Sequence, residues 1–264
     1  MPTFLTGNLM LDQSILWGLV AWLGACVGSF SNVLIYRLPR NKDVVRGRSH
    51  CPSCAKMVAW YDNIPVVSWL LLRGRCRHCD AGISVRYLLV ELAGAACAVV
   101  GIWRFGWNLE GLSASFFLIV LLDIALIDWE HMIIPHTLTL SGAALGLAFS
   151  FFITPQLPQA LLGAAAGAGV ILAVSYGYKV FRGVIGMGGG DVMLMGMIGI
   201  FVGPWGAMAV LFSGALFGAV YALIAGRGSV QGAAKLPFGT FLAAAAGIVL
   251  LFGADLWSLY LSIY

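Results

Sequence analysis

The sequence predicts an all-α polytopic membrane protein of about eight transmembrane helices, interrupted once by a small polar insert. Three observations point there. Of 264 residues, 61% are hydrophobic and 10% charged, whereas a soluble domain of this size carries roughly 25% charged residues. Long apolar runs recur along the chain, separated by short connections, as in a protein that crosses a bilayer repeatedly. Finally, when the spans are alternated across the membrane, every basic residue except Arg104 falls on one side.

The runs place spans at about 14–36, 86–103, 111–128, 136–153, 159–179, 191–203, 206–226 and 237–258, with edges read from hydropathy and turn residues. No Lys or Arg precedes Arg37, so the first span lacks the basic start of a cleaved signal peptide. Arg37, Arg40, Lys42, Arg46, Arg48, Lys56, Arg73, Arg75, Arg77 and Arg86 crowd the segment that follows. Lys179 and Arg182 follow the fifth span, and Arg227 and Lys235 separate the last two. The excess of positive charge makes their side cytoplasmic and places the N-terminus outside. Because topology accounts for the basic residues, the net charge of +4 implies no nucleic-acid partner.

The sixth span is short. Residues 191–203 make about 20 Å of helix against a hydrocarbon core of about 30 Å, and Gly203-Pro204-Trp205-Gly206 then reads as a sharp turn. Without that span, Arg227 and Lys235 would lie outside, so it is kept as a crossing sheltered by its neighbours. Gly142-x-x-x-Gly146 and Gly163-x-x-x-Gly167 permit close helix approach and are expected to pack within the bundle.

The expected organisation is a first transmembrane helix (1–36), a cytoplasmic four-cysteine subdomain (37–86) and a transmembrane bundle (87–264). The insert carries Cys51-Pro52-Ser53-Cys54 and Cys76-Arg77-His78-Cys79. Two such knuckles can complete a tetrahedral four-thiolate site, so Cys51, Cys54, Cys76 and Cys79 are expected to bind Zn2+. Disulfides, the alternative, are disfavoured in a reducing compartment. A fully protein-ligated ion has no open position and is structural, supplying folding energy to a small insert. Cys26 and Cys97 lie in apolar helices and read as inert core residues.

Two carboxylates stand out. Asp128 closes the apolar run Phe116 to Ile127, and Asp191 follows Gly186-Met187-Gly188-Gly189-Gly190. Ionisable groups in a membrane helix are costly and signal function. With alternating spans both fall near the cytoplasmic face. Two carboxylates can share one proton, one activating water while the other donates to a carbonyl. The pair suggests an aspartyl protease at a membrane, with Gly188, Gly189 and Gly190 as a supporting loop that lets another chain approach. Asp123, about 7.5 Å deeper on the same helix, is a lesser candidate. Glu91 reads either as a carboxylate satisfied by its neighbours or as a ligand. Glu130 and His131 have no His-Glu-x-x-His partner pattern, which disfavours a metalloprotease. The competing function is a proton- or cation-coupled carrier using Asp123, Asp128 and Asp191, though a carrier tends toward repeated halves and midplane sites.

The residues extend to Gly28-Ser29-Phe30-Ser31-Asn32, Arg48-Ser49-His50-Cys51-Pro52-Ser53-Cys54, Asp62-Asn63-Ile64-Pro65, Arg73-Gly74-Arg75-Cys76-Arg77-His78-Cys79, Ser84-Val85-Arg86-Tyr87, Glu91-Leu92, Ile134-Pro135 and Gly188-Gly189-Gly190-Asp191. Together they resemble the bacterial prepilin peptidases, or type IV leader peptidases, of the Gly-x-Gly-Asp class, over nearly the whole chain. The resemblance implies an inner-membrane, multi-pass enzyme with its active site facing the cytoplasm. It would cleave the leader from prepilins or pseudopilins at Asp128 and Asp191. It implies a second activity, N-methylation of the new terminus with S-adenosylmethionine, associated with the four-cysteine insert. A sulfonium donor would favour a nearby carboxylate or aromatic face, which makes Glu91 and Asp62, with Tyr61 and Trp60, the candidates for the methyl-donor site. Met193 stands where the family usually carries lysine, His136 where Asp or Asn is common, and Leu88 where proline is common.

Overall fold

The computed structural model describes residues 9–44, 46–47, 49–183, 188–225 and 236–263. Arg48, Gly186, Met187, Arg227 and Lys235, which entered the readings above, lie outside the described residues. The chain forms two compact units, Met1–Trp103 and Arg104–Tyr264. The first holds α1 (Leu9–Arg37), the insert with the short α2 (Val67–Leu71), and α3 (Val85–Phe105), whose end reaches the second unit. The second holds α4 (Leu109–His131), α5 (His136–Phe149), α6 (Leu157–Arg182), α7 (Gly189–Ala225) and α8 (Phe238–Ile263).

Six of these helices are long and apolar enough to cross a membrane: α1, α3, α4, α6, α7 and α8. Helix α5 is apolar but shorter, at 14 residues. Two of the eight expected spans lie in α7, whose 37 residues include Gly203 at φ 71°, ψ −179° followed by Pro204. Only glycine adopts that backbone readily, and proline cannot donate to the preceding turn. The contacts show a reversal there. The first arm starts with Gly190 against Ile134, beyond the end of α4, and reaches Phe201 stacked on Phe117 at 4.1 Å. The second arm passes Val249 at Gly206 and ends with Tyr221 against Trp129. It therefore runs back toward the end of α4 that carries Asp128.

The first arm, about 21 Å long by helical rise, is sheltered as its length requires. Leu194, Met195 and Ile198 have no exposed surface and Met197 only 1%. Both small-residue motifs press on this arm. A Cβ on Gly163 would collide with the Gly199 carbonyl, and one on Gly199 with that of Gly163. A Cβ on Gly167 would stand 2.5 Å from the Met195 carbonyl oxygen, while Gly142 and Gly146 make room for Met197 and Phe201. Backbone contact of this kind supplies packing where lipid provides no hydrophobic drive between helices.

In the first unit α1 and α3 cross antiparallel by the same device. Gly24 meets Gly94 and Ala98, and Gly28 meets the Val90 carbonyl, each within 2.8 Å of where a Cβ would stand. Asn32 donates to the Tyr87 carbonyl at 3.1 Å, closing the polar end of the pair.

Among the described residues of the second unit, the lysines and arginines are Arg104, Lys179 and Arg182. Arg104 donates to Leu251 O and to Asp255, at the end of α8 remote from Asp128. Lys179 and Arg182 occupy the last turn of α6, which Gly183 closes in a left-handed conformation. They favour the negative end of that helix.

Gly163→Leu should lower the unfolding midpoint of the detergent-solubilised protein sharply, with a cost of at least ~2 kcal/mol from backbone separation. Gly169→Leu, where an added Cβ meets nothing within 4 Å, should leave it unchanged. Equal midpoints for the two variants would contradict this packing.

Candidate active site

Asp128 lies in the last turn of α4, where Met132 N–H closes on its carbonyl at 2.8 Å. The residue is 5% exposed, and a carboxylate buried that deeply needs donors. They come from the start of α8. Thr240 N–H donates to Asp128 Oδ2 at 2.8 Å, and the Thr240 hydroxyl lies 3.4 Å from the same oxygen while donating to Ala125 O at 2.9 Å. The first N–H groups of a helix have no partner within it and carry the positive end of its dipole, so this helix start is a seat for an anion.

Gly239 makes that seat possible. A Cβ there would stand 3.0 Å from Asp128 Oδ2 and 2.8 Å from Ile134 Cδ1. Any larger residue would drive the carboxylate out of position. Gly239 and Thr240 escaped the sequence reading; the available signal was a glycine at a helix start, immediately after Pro237-Phe238.

Asp191 occupies the first turn of α7. Its Oδ2 accepts Gly188 N–H at 3.2 Å, and its own N–H donates to the Gly188 carbonyl at 3.2 Å, folding the glycine run into a turn. Ile134 links this turn to the other carboxylate: its Cβ is 2.9 Å from where a Gly190 side chain would begin, and its Cδ1 touches Gly239. Asp191, next to Gly190, and Asp128, against Gly239, lie on either side of Ile134. Two helix starts thus meet at one pair of acids, and Gly188 and Gly189 are exposed beside them. Asp123 is 2% exposed, deeper in the same helix, and Met193 is 41% exposed. A separate cavity lined by Ser113, Gly146, Ser150, Thr154 and Phe201 contains neither member of the pair.

In the insert the four cysteine sulfurs lie within 4.8 Å of one another, and Cys51 Sγ is 3.7 Å from Cys79 Sγ. Sulfurs at about 2.3 Å from a tetrahedral ion stand roughly 3.8 Å apart, so the cluster fits one. The two knuckles repeat each other at an offset of 25 residues. Cys51 N donates to Lys56 O as Cys76 N does to Ala81 O, and Val58 N to Ser49 O as Ile83 N does to Gly74 O. Ala55 and Asp80 take the same left-handed conformation, at φ 57° and 55°. Backbone N–H groups of Cys54 and Ser53 draw the Cys51 thiol down to about 6. Cys79 is helped by the Ala81 N–H but pushed up to about 12 by burial and the neighbouring thiols. Four thiols packed this closely ionise together only around a cation.

The other two acids have protein partners. Glu91 Oε2 accepts Val66 N–H at 2.7 Å. Asp62 takes a bidentate bond from Arg77, which holds its carboxyl below the usual carboxylate range.

Comparison with known proteins gives a consistent set of similarities. Residues 22–105 match the bacterial peptidase A24 N-terminal domain, and residues 115–223 match the type IV leader peptidase family. The chain is 36% identical to the prepilin leader peptidase/N-methyltransferase of Dichelobacter nodosus, over 89% of this chain and 91% of that protein. It is 33% identical to the one from Pseudomonas aeruginosa, over 90% and 91%. The Myxococcus xanthus protein of the same name is 41% identical over 76% of this chain, which spans 61% of that longer relative. No solved structure gives a significant match.

Elemental analysis of the purified protein should find about one metal ion per chain. Cys51→Ser and Cys76→Ser should each lose it and expose residues 37–86 to proteolysis while the helices persist. Metal-free protein with the four cysteines paired as disulfides would contradict the assignment.

Proposed function

The chain belongs to the type IV leader peptidase family of membrane enzymes, and on that premise we propose that Asp128 and Asp191 are its catalytic pair. The observation that carries the proposal is the meeting of α8 and α7 helix starts at two carboxylates, at the end of the bundle rather than its middle. A carrier would place its acids near the midplane.

The reaction is hydrolysis of the peptide bond that joins a prepilin or pseudopilin to its leader. One carboxylate takes a proton from water, whose oxygen adds to the scissile carbonyl carbon. The other gives its proton to the carbonyl oxygen. The C–N bond then breaks as the amine nitrogen takes a proton from one carboxylate while a hydroxyl on the tetrahedral carbon gives its proton to the other, re-forming the carbonyl and leaving the pair with one shared proton. Thr240 N–H and Gly188 N–H fix the orientation of the two carboxylates, and Gly188, Gly189 and Gly190 leave room for the substrate backbone.

The excess of basic residues supports an orientation in which this end of the bundle faces the cytoplasm and the N-terminus lies outside. A leader of basic residues stays in the cytoplasm while the apolar pilin helix remains in the bilayer, and the bond between them reaches the pair without crossing. Cys51, Cys54, Cys76 and Cys79 hold a structural zinc ion, the metal suited to four thiolates. The name shared by the relatives supports N-methylation of the new N-terminus as a second activity. S-adenosylmethionine, when bound, would supply the methyl group as its S–CH3 bond breaks and the neutral thioether leaves, and the free amine of the cleaved product would accept the methyl and lose a proton. Glu91 and Asp62 are the acids proposed for the donor site, since a sulfonium charge favours a nearby carboxylate.

Incubation of purified protein with a prepilin in detergent tests the reading by mass analysis. Asp128→Asn and Asp191→Asn should each lower leader release by at least ~100-fold, the span of a lost acid–base group, with the protein still folded. Wild-type rates in either variant would remove that residue from the mechanism. With S-adenosylmethionine present, the processed pilin should gain one methyl mass.

Gly239→Ala should slow cleavage roughly tenfold, equivalent to about 1.4 kcal/mol, by displacing Asp128. Gly247→Ala, whose side chain meets Leu118 at an ordinary 3.6 Å, should not. Equal rates for the two would show that the crowding at Gly239 is irrelevant to catalysis.

A further inference from the structure

The insert carries an apolar face used by neither the cysteine cluster nor the carboxylate pair. In α2, Val67, Leu70 and Leu71 fall at i, i+3 and i+4 and share one side of the helix. They are 46%, 57% and 77% exposed. The opposite side is fixed inward: buried Ser68 accepts Ile64 N–H at 3.1 Å and donates to Tyr61 O at 2.8 Å. Trp69 lies across Gly74 and donates its indole N–H to Ile83 O at 3.3 Å. The roll of α2 is therefore set, and three large aliphatic side chains are turned outward by construction.

Its attachment is set as well. Val66, immediately before α2, has φ 64° and ψ −53°, and Val67 N–H closes a tight turn on Pro65 O at 2.6 Å. A β-branched residue is strained in that conformation. The Val66 N–H is held by Glu91, six residues into the membrane helix α3, at 2.7 Å. One hydrogen bond thus ties the residue before α2 to the first two turns of a helix long and apolar enough to cross a membrane.

Charge selects the occupant. Arg73 and Arg75 directly follow α2 and are exposed, as are Arg40, Lys42 and Arg46 in the segment after α1. The insert's acids are Asp43, Asp80 and the Arg77-bound Asp62. An apolar face followed at once by Arg73 and Arg75, in an insert with few acids, repels a basic leader peptide and matches an anionic phospholipid surface.

We propose that α2 is an interfacial anchor: Val67, Leu70 and Leu71 enter the acyl boundary of an anionic leaflet while Arg73 and Arg75 meet its phosphates. The anchor holds the cysteine cluster against the membrane. It depends on the membrane topology and not on the identity of the catalytic residues.

The full-length metal-loaded protein, with Leu71 replaced by photoreactive p-benzoylphenylalanine, is reconstituted in nanodiscs of phosphatidylcholine with or without one-third phosphatidylglycerol. Irradiation should give phospholipid adducts at least ~3-fold more abundant than from the same probe at exposed Lys56, rising with phosphatidylglycerol. Arg73→Glu with Arg75→Glu should abolish that rise. Adduct yields no higher than at Lys56, or crosslinks that go instead to an added prepilin, would overturn the proposal. Hydrogen exchange on the unsubstituted protein gives an independent reading. Amides 67–71 should be slower in phosphatidylglycerol discs than in phosphatidylcholine discs, and equal rates would count against the anchor. Neither readout requires turnover, so a failure here is separable from a failure of the peptidase reading.

Discussion

Where α6 meets the first arm of α7, the Gly163 and Gly199 backbones touch with no side chain between them, and the geometry of the second unit follows from that contact. An arm of about 21 Å is too short to face lipid across a full hydrocarbon core. It persists because α5 and α6 cover it at glycines and because Gly203 turns the chain back before an unsheltered polar end would reach lipid. The reversal starts α7 and ends its second arm at the same level. The first arm thereby delivers Asp191 beside Asp128, and the second returns to the level where α8 begins.

The second requirement is electrostatic. Carboxylates at a membrane boundary need fixed donors or a shared proton, and here the donors are the otherwise unpaired N–H groups of helix starts. Thr240 N–H serves Asp128 and Gly188 N–H serves Asp191. Backbone donors cost no side-chain ordering when a substrate arrives, which suits a site preorganised for charge development. The glycines around the pair are the complement of this arrangement. Gly190 and Gly239 each lack the atom that would press on Ile134, and Ile134 is the apolar contact common to both halves of the site.

The sequence made some of these elements legible and hid others for physical reasons. Asp128 and Asp191 stood out because charge is rare in apolar runs, and the cysteines because paired thiols at short spacing have few other uses. The division of α7 was readable from Gly203-Pro204, whereas the glycine motifs promised only packing within the bundle, and their contact with Met195, Met197, Gly199 and Phe201 came from the fold. Gly239 and Thr240 were not readable: their importance lies in a contact 112 residues away in the chain, made by a backbone N–H that every residue but proline possesses. The repeat between the two knuckles was hidden likewise, since it resides in main-chain hydrogen bonds and in Ala55 and Asp80, which share no side-chain chemistry. Glu91 was left between a structural and a ligand role, and its bond to Val66 shows the partner that local sequence could not supply.

The central claim is that two carboxylates held at helix starts act as one unit with a single proton. Its most direct test is the pH dependence of kcat/KM for leader release by the metal-loaded wild-type enzyme. A coupled pair that must be singly protonated gives a bell-shaped profile with one proton titrating on each limb. A profile with a single limb, or one flat across the range in which the protein stays folded, would contradict the shared-proton mechanism.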